Sequence, residues 1–111
     1  MKSKNPYKLL VSLVSSVKKN IVFLDSSTFP NHLKFDKLEF PHIWKNHKTT
    51  SPTEVIKRIK TAHVLVNNKV NLGEHELQHA KNLELIALTA TGTNIIDLDY
   101  CKKNNIKVCN L

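Results

Sequence analysis

The run Leu85-Ile86-Ala87-Leu88 leads through Ala90 into Thr91-Gly92-Thr93-Asn94, and then into Ile95-Ile96-Asp97-Leu98-Asp99. An unbroken apolar run, a glycine turn and a helix start read, in that order, as a buried strand feeding a helix. At the carboxyl end of a parallel strand such a turn exposes backbone N–H groups that have no intrahelical partner. They form a small positive nest suited to an anion such as a carboxylate. On local chemistry alone the same residues also describe a turn with no ligand.

The pattern recurs along the chain. Ile21-Val22-Phe23-Leu24 is a continuous apolar run between Asn20 and Asp25, as expected of a central parallel strand. Further strands are predicted at His63–Asn67, Leu83–Thr89 and Ile106–Asn110, with an edge strand at His42–His47 around Trp44. Residues Ser26–Pro41 are irregular, broken by Pro30 and Pro41. Ser51-Pro52-Thr53-Glu54 opens a helix, with Ser51 as cap, Pro52 at the first helical position and Glu54 completing a capping box. Its buried stripe is Val55, Ile56, Ile59 and Ala62. Short helices follow at Glu74–Lys81 and Asp97–Asn104. Alternation of this kind implies an α/β fold, a flavodoxin-like parallel sheet of about five strands with helices on both faces. Ligands of such sheets bind beyond the carboxyl ends of the strands, where Asn67, Asn68, Lys69 and the Thr91–Asn94 turn fall.

A chain of 111 residues supports one domain. Its net charge of +8 invites a nucleic-acid partner, but Arg58 is the sole Arg among 17 cations and the lysines are scattered, with no interleaved aromatic row. Arg is the residue favoured for bidentate phosphate and base-edge contacts, so a solvated lysine surface explains the charge better. No run approaches the roughly 18 apolar residues of a membrane span. Residues 1–19 form an extension in which Leu9, Leu10, Leu13, Val14 and Val17 fall at helical spacing. Cys101 and Cys109 show neither metal-ligand spacing nor a disulfide framework, which points to buried or half-buried thiols in a reducing, cytoplasmic setting.

His75-Glu76-Leu77-Gln78-His79 matches H-E-x-x-H, the zinc-protease helix. At about 100° per residue, Leu77 and Ala80 lie away from the two His. The apolar pair must face the sheet, so the His pair is predicted to face water, and no third ligand is evident. A zinc protease is therefore a remote alternative and no metal is expected. His32, His42, His47 and His63 show no pairing with a nucleophile, and Ser26-Ser27 read as turn residues. There is no G-x-S-x-G and no P-loop.

Asn68-Lys69-Val70, Leu83-Glu84-Leu85-Ile86-Ala87, Thr91-Gly92-Thr93-Asn94, Asp97-Leu98-Asp99 and Asn104-Asn105-Ile106-Lys107-Val108-Cys109-Asn110 together resemble the D-isomer-specific 2-hydroxyacid dehydrogenases, in their glycerate dehydrogenase/hydroxypyruvate reductase branch. The resemblance covers residues 20–111 and is densest from Ala62 onward. It corresponds to the amino-terminal part of the family's substrate (catalytic) domain. Where the family usually has glycine before the final strand, this chain has Asn105, the next-best residue at positive φ. The resemblance implies that Thr91, Gly92 and Thr93 hold a substrate carboxylate, with Asn68 and Lys69 beside the same cleft. It further implies a small 2-hydroxy or 2-keto acid substrate, NAD as cofactor and homodimeric enzymes. The family's catalytic Arg and its Glu–His pair match no residue here, so no catalytic residue is expected in this chain. With only Gly73 and Gly92, no G-x-G-x-x-G fingerprint is possible, so no cofactor-binding residue is expected either. The expectation is thus an incomplete fold: a fragment inactive alone, with apolar sheet surface exposed and a tendency to self-associate. The alternative is a stand-alone domain that binds a small anion without catalysis.

Overall fold

The computed structural model describes residues 18–29, 41–89 and 94–110. Five strands, β1 (Lys19–Phe23), β2 (His42–Asn46), β3 (Val64–Asn67), β4 (Leu85–Leu88) and β5 (Lys107–Asn110), form one sheet in the order β2-β1-β3-β4-β5. Every pair is parallel, with Ile21 opposite Val64, Val64 opposite Leu85, and Leu85 opposite Lys107. All residues of β3 and β4 are buried, whereas β2 and β5 are largely exposed edges. The continuous apolar runs thus mark the central strands, which need apolar side chains on both faces.

One face of the sheet presents Val22, Leu65, Ile86 and Leu88 to three helices: α1 (Val55–Ile59), α2 (Glu74–Leu77) and α3 (Leu98–Lys103). Val55 and Ile59 of α1, Leu77 of α2 and Cys101 of α3 complete this core. Each fully buried Leu or Ile contributes about 1.5–3 kcal/mol relative to exposure. The other face presents Ile21, Phe23, Val64, Val66, Leu85 and Ala87, with Phe29 and Cys109 packed against them. The helices among the described residues all lie on the first face, so the expected second helical layer is not among them. The second face is nonetheless buried, contrary to the exposed sheet surface expected of a fragment. The large exposed apolar residues among those described are Ile43, Trp44 and Leu98. The expected helix at residues 9–17 lies outside the described residues.

The helices are shorter than expected. Glu54 does reach back to Ser51, its Oε1 accepting from the Ser51 N–H at 3.0 Å and from its hydroxyl at 2.9 Å. Because the hydroxyl donates rather than caps, only half the box forms and regular helix begins at Val55. In α2 the bonds from His79 N–H to the Glu76 carbonyl and from Ala80 N–H to the Leu77 carbonyl tighten the last turn, ending the helix at Leu77. At the start of α3 the Asp97 carboxylate accepts from Tyr100 N–H at 2.9 Å.

Two local features are settled by single residues. Asn105 sits at φ 58°, just past α3. Ile106 N–H donates to the Cys101 carbonyl at 2.9 Å and Asn105 N–H to that of Lys102 at 3.5 Å, the two bonds of a Schellman stop. Asn105 therefore does the work expected of glycine. At the amino-terminal end of the sheet, Lys19 Nζ contacts both Glu84 carboxylate oxygens, at 2.7 and 3.0 Å. The two side chains are 4% and 18% exposed. Lys19, expected in the extension, is thus the first residue of β1 and is tied to the entry of β4.

Three outcomes follow from this packing. Glu84→Gln should cost about 3 kcal/mol by stranding the Lys19 ammonium, while Lys19→Met combined with Glu84→Leu should cost less than about 1 kcal/mol; urea midpoints measure both. Asn105→Gly should leave stability within about 0.5 kcal/mol of the parent, and Asn105→Val should lower it by about 1–2 kcal/mol. Burial, aided by the Asp97 carboxylate, pushes the Cys101 thiol up to about 11. Iodoacetamide at neutral pH should then modify Cys101 only when the chain unfolds. The folded thiol keeps its proton when an unfolded one loses it. Its contribution is therefore complete below about pH 8.5 and lost as pH rises towards the folded value.

Candidate functional site

In a sheet of this order the switch point lies between β1 and β3, and the loops leaving their carboxyl ends form the natural crevice. Loop 67–72 leaves β3 there and is fixed from three sides. Asn67 is fully buried; its Nδ2 donates to the Val70 carbonyl at 2.9 Å and its Oδ1 accepts from Val70 N–H at 3.1 Å. Asp25, 3% exposed just beyond β1, accepts Asn68 N–H on Oδ1 at 3.0 Å and Lys69 N–H on Oδ2 at 2.7 Å. Leu72 N–H donates to the Ile95 carbonyl at 2.8 Å, and the Leu72 carbonyl accepts from Asp97 N–H at 3.0 Å.

Residues 90–93, which include Thr91, Gly92 and Thr93, lie outside the described residues. Their flanks do not. Thr89 N–H donates to the Asn67 carbonyl at 3.1 Å, and Ile96 bridges in parallel to Leu72. Thr89 on one side and Ile95–Asp97 on the other are therefore bonded to loop 67–72, which carries Asn68 and Lys69. Asn68 is engaged internally: its Nδ2 donates to Thr28 Oγ1 at 2.9 Å and to the Thr28 carbonyl at 3.3 Å. Lys69 is exposed, and its ammonium makes no hydrogen bond or ion pair to a described residue.

A cavity of about 500 Å³ opens beside this loop, lined in part by Asp25, Thr28, Thr49, Thr50, Lys69 and Glu76. Arg58, the sole Arg, is committed to its wall: it donates to the Thr49 carbonyl at 2.6 Å and to Thr50 Oγ1 at 2.7 Å, and pairs with Glu54 at 2.9 Å. Partial burial and the Arg58 guanidinium hold the His47 pKa below its ordinary value, against the Glu54 carboxylate. Among the described residues that line the cavity, Lys69 is the cation, and Asp25 and Glu76 are the carboxylates.

Sequence reasoning missed Asp25, treating it as a polar end to its strand. The available signal was a carboxylate directly after a central apolar run, on the strand beside the switch point. The His75–His79 pair faces outward as expected, and His32 lies outside the described residues. His75 and His79 are exposed with ring centroids 6.3 Å apart, while Leu77 and Ala80 are buried. Glu76 Oε1 accepts from Gly73 N–H at 2.8 Å, so this carboxylate caps α2. His63 Nδ1 accepts from Asn20 N–H at 2.9 Å, a structural bond that needs this nitrogen unprotonated. Ser26 and Ser27 lie in a 3-10 turn, Ser26–Thr28.

Residues 21–111 match the family model for the catalytic domain of the D-isomer specific 2-hydroxyacid dehydrogenases. A protein of Haemophilus influenzae, named as a 2-hydroxyacid dehydrogenase, is 40% identical over 91 residues, covering 82% of this chain and 29% of the relative. Glycerate dehydrogenase of Methylorubrum extorquens is 33% identical over 94 residues, covering 84% of this chain and 29% of that enzyme. The chain thus spans less than a third of either relative. The NAD+-bound 3-phosphoglycerate dehydrogenase structure of Entamoeba histolytica superposes with a TM-score of 0.68 at 18% identity, covering 85% of this chain and 33% of that one. That likeness shows the fold, and the sequence match shows the lineage: the chain belongs to the D-isomer specific 2-hydroxyacid dehydrogenase family, in the catalytic domain.

Proposed function

We propose that this domain grips the carboxylate of a small 2-hydroxy or 2-keto acid, of the glycerate/hydroxypyruvate type, in a cytoplasmic oxidoreductase that uses NAD. The observation that carries this reading is the anchoring of both flanks of residues 90–93 to loop 67–72, at the carboxyl end of the sheet. Backbone N–H groups of Thr91, Gly92 and Thr93 would hold the acid group, and Gly92 would admit it closely for want of a side chain. The Thr93 hydroxyl would add a donor. Lys69 would attract the anion, and Asn68, bound to Thr28, would fix the loop beneath it.

The residues present do not fit a dinucleotide. The chain has two glycines, Gly73 and Gly92, and no fingerprint turn, so the nicotinamide must be held outside these 111 residues. The domain's own chemistry is therefore binding and orientation of the acid.

The purified chain should not oxidise NADH in the presence of hydroxypyruvate. Joined to the remaining segments of the Haemophilus influenzae relative, it should do so. In that fusion Gly92→Val should lower kcat/KM at least about 100-fold, and Lys69→Met should raise KM roughly tenfold with kcat little changed. An inert fusion, or one indifferent to Gly92→Val, would remove the substrate reading. Carboxylate binding by the isolated chain, together with an inert fusion, would favour the stand-alone anion-binding alternative.

A further inference from the structure

Asp25 lies 43 and 44 residues before the two amides it holds, Asn68 N–H and Lys69 N–H. Two converging donors on consecutive residues require two acceptor oxygens on one side chain, and a carboxylate supplies both. The contact is reinforced on its own strand-end turn. Thr28 N–H donates to the Asp25 carbonyl at 3.0 Å and Thr28 Oγ1 to the same oxygen at 2.7 Å. Thr28 in turn accepts from the Asn68 side chain at 2.9 Å. The turn after β1 and the loop after β3 are thereby one hydrogen-bonded body across the switch point.

We propose that Asp25 is a positioning residue for the acid-binding cleft. It acts through loop 67–72, setting the backbone from which Lys69 projects and to which Thr89 and Ile95–Asp97 are bonded. The proposal rests on the substrate reading given above. The Asp25 carboxylate meets two N–H dipoles and is buried, so its charge is taken up beneath the loop and does not confront the incoming anion. Substitution by Asn would leave one acceptor oxygen and turn an NH2 group towards the second donor.

Hydrogen exchange of the 111-residue chain tests the clamp, and kinetics of the fusion with the relative's remaining segments test its consequence. In Asp25→Asn the amides of residues 67–70 should exchange about tenfold faster or more, with Leu65 and Ile86 unchanged. In the fusion the same substitution should raise KM for hydroxypyruvate about tenfold while kcat stays within about twofold. Thr28→Val, which loosens the same body from the other side, should raise KM roughly threefold and decides the matter if Asp25→Asn fails to fold. Ile59→Val, a core change that touches none of the loop's hydrogen bonds, should lower Tm without moving KM. Unchanged exchange at 67–70 would refute the clamp. An active fusion whose KM ignores both Asp25→Asn and Thr28→Val would overturn the positioning role alone. An inert wild-type fusion would instead overturn the substrate reading, and the positioning role with it.

Discussion

Burial of the central strands on both faces governs the rest of this structure. β3 and β4 have no exposed residue, and β1 is nearly as enclosed. A polar side chain within such a strand would lose water with no partner to replace it. Polar groups are therefore displaced to the strand ends, where backbone and side chain can satisfy one another. The domain thus has two polar rims with an apolar interior between them, and the division of labour between the rims follows from the direction of the strands.

The amino-terminal rim is closed on itself. Lys19 and Glu84 pair, His63 accepts from Asn20, and the backbone N–H groups of Glu84 and Lys107 find carbonyl partners on His63 and Glu84. The carboxyl-terminal rim is also well bonded, but its bonds run between loops: Asp25 to Asn68 and Lys69, Asn67 to Val70, Leu72 to Ile95 and Asp97. They hold backbone and leave the Lys69 side chain outward. A loop held in this way, with an exposed ammonium that bonds to no described residue, would lose little ordering entropy on taking up an anion.

What the sequence reveals is what depends on near neighbours. The strands, the edge position of His42–Asn46, the left-handed Asn105 and the outward His75 and His79 all follow from patterns spanning a few residues. The Asp25 clamp and the Lys19–Glu84 pair do not. Their partners stand 43, 44 and 65 residues away, and only the strand order brings them together. The helix ends were misjudged for a related reason. Ala80 must reach the sheet, so α2 gives way to tighter turns at Gln78 despite a sequence that would continue the helix. Of the expected site residues that are described, Lys69 has an exposed side chain and Asn68 is part of the scaffold, a distinction that composition cannot make.

The charge excess acquires a narrower meaning once its bonds are traced. A net charge of +8 spread over a surface raises local anion concentration without selecting among anions, and salt screens it. Arg58, the side chain best shaped for bidentate capture, is tied to Thr49, Thr50 and Glu54, and Lys19 is buried against Glu84. Among the described residues that line the cavity the balance is reversed: one ammonium accompanies two carboxylates, both of which accept backbone amides. Among the described residues, then, one ammonium on this wall is available to compensate negative charge. The surplus on the surface therefore acts as a long-range, salt-screened attraction, distinct from the local charge balance at the cavity.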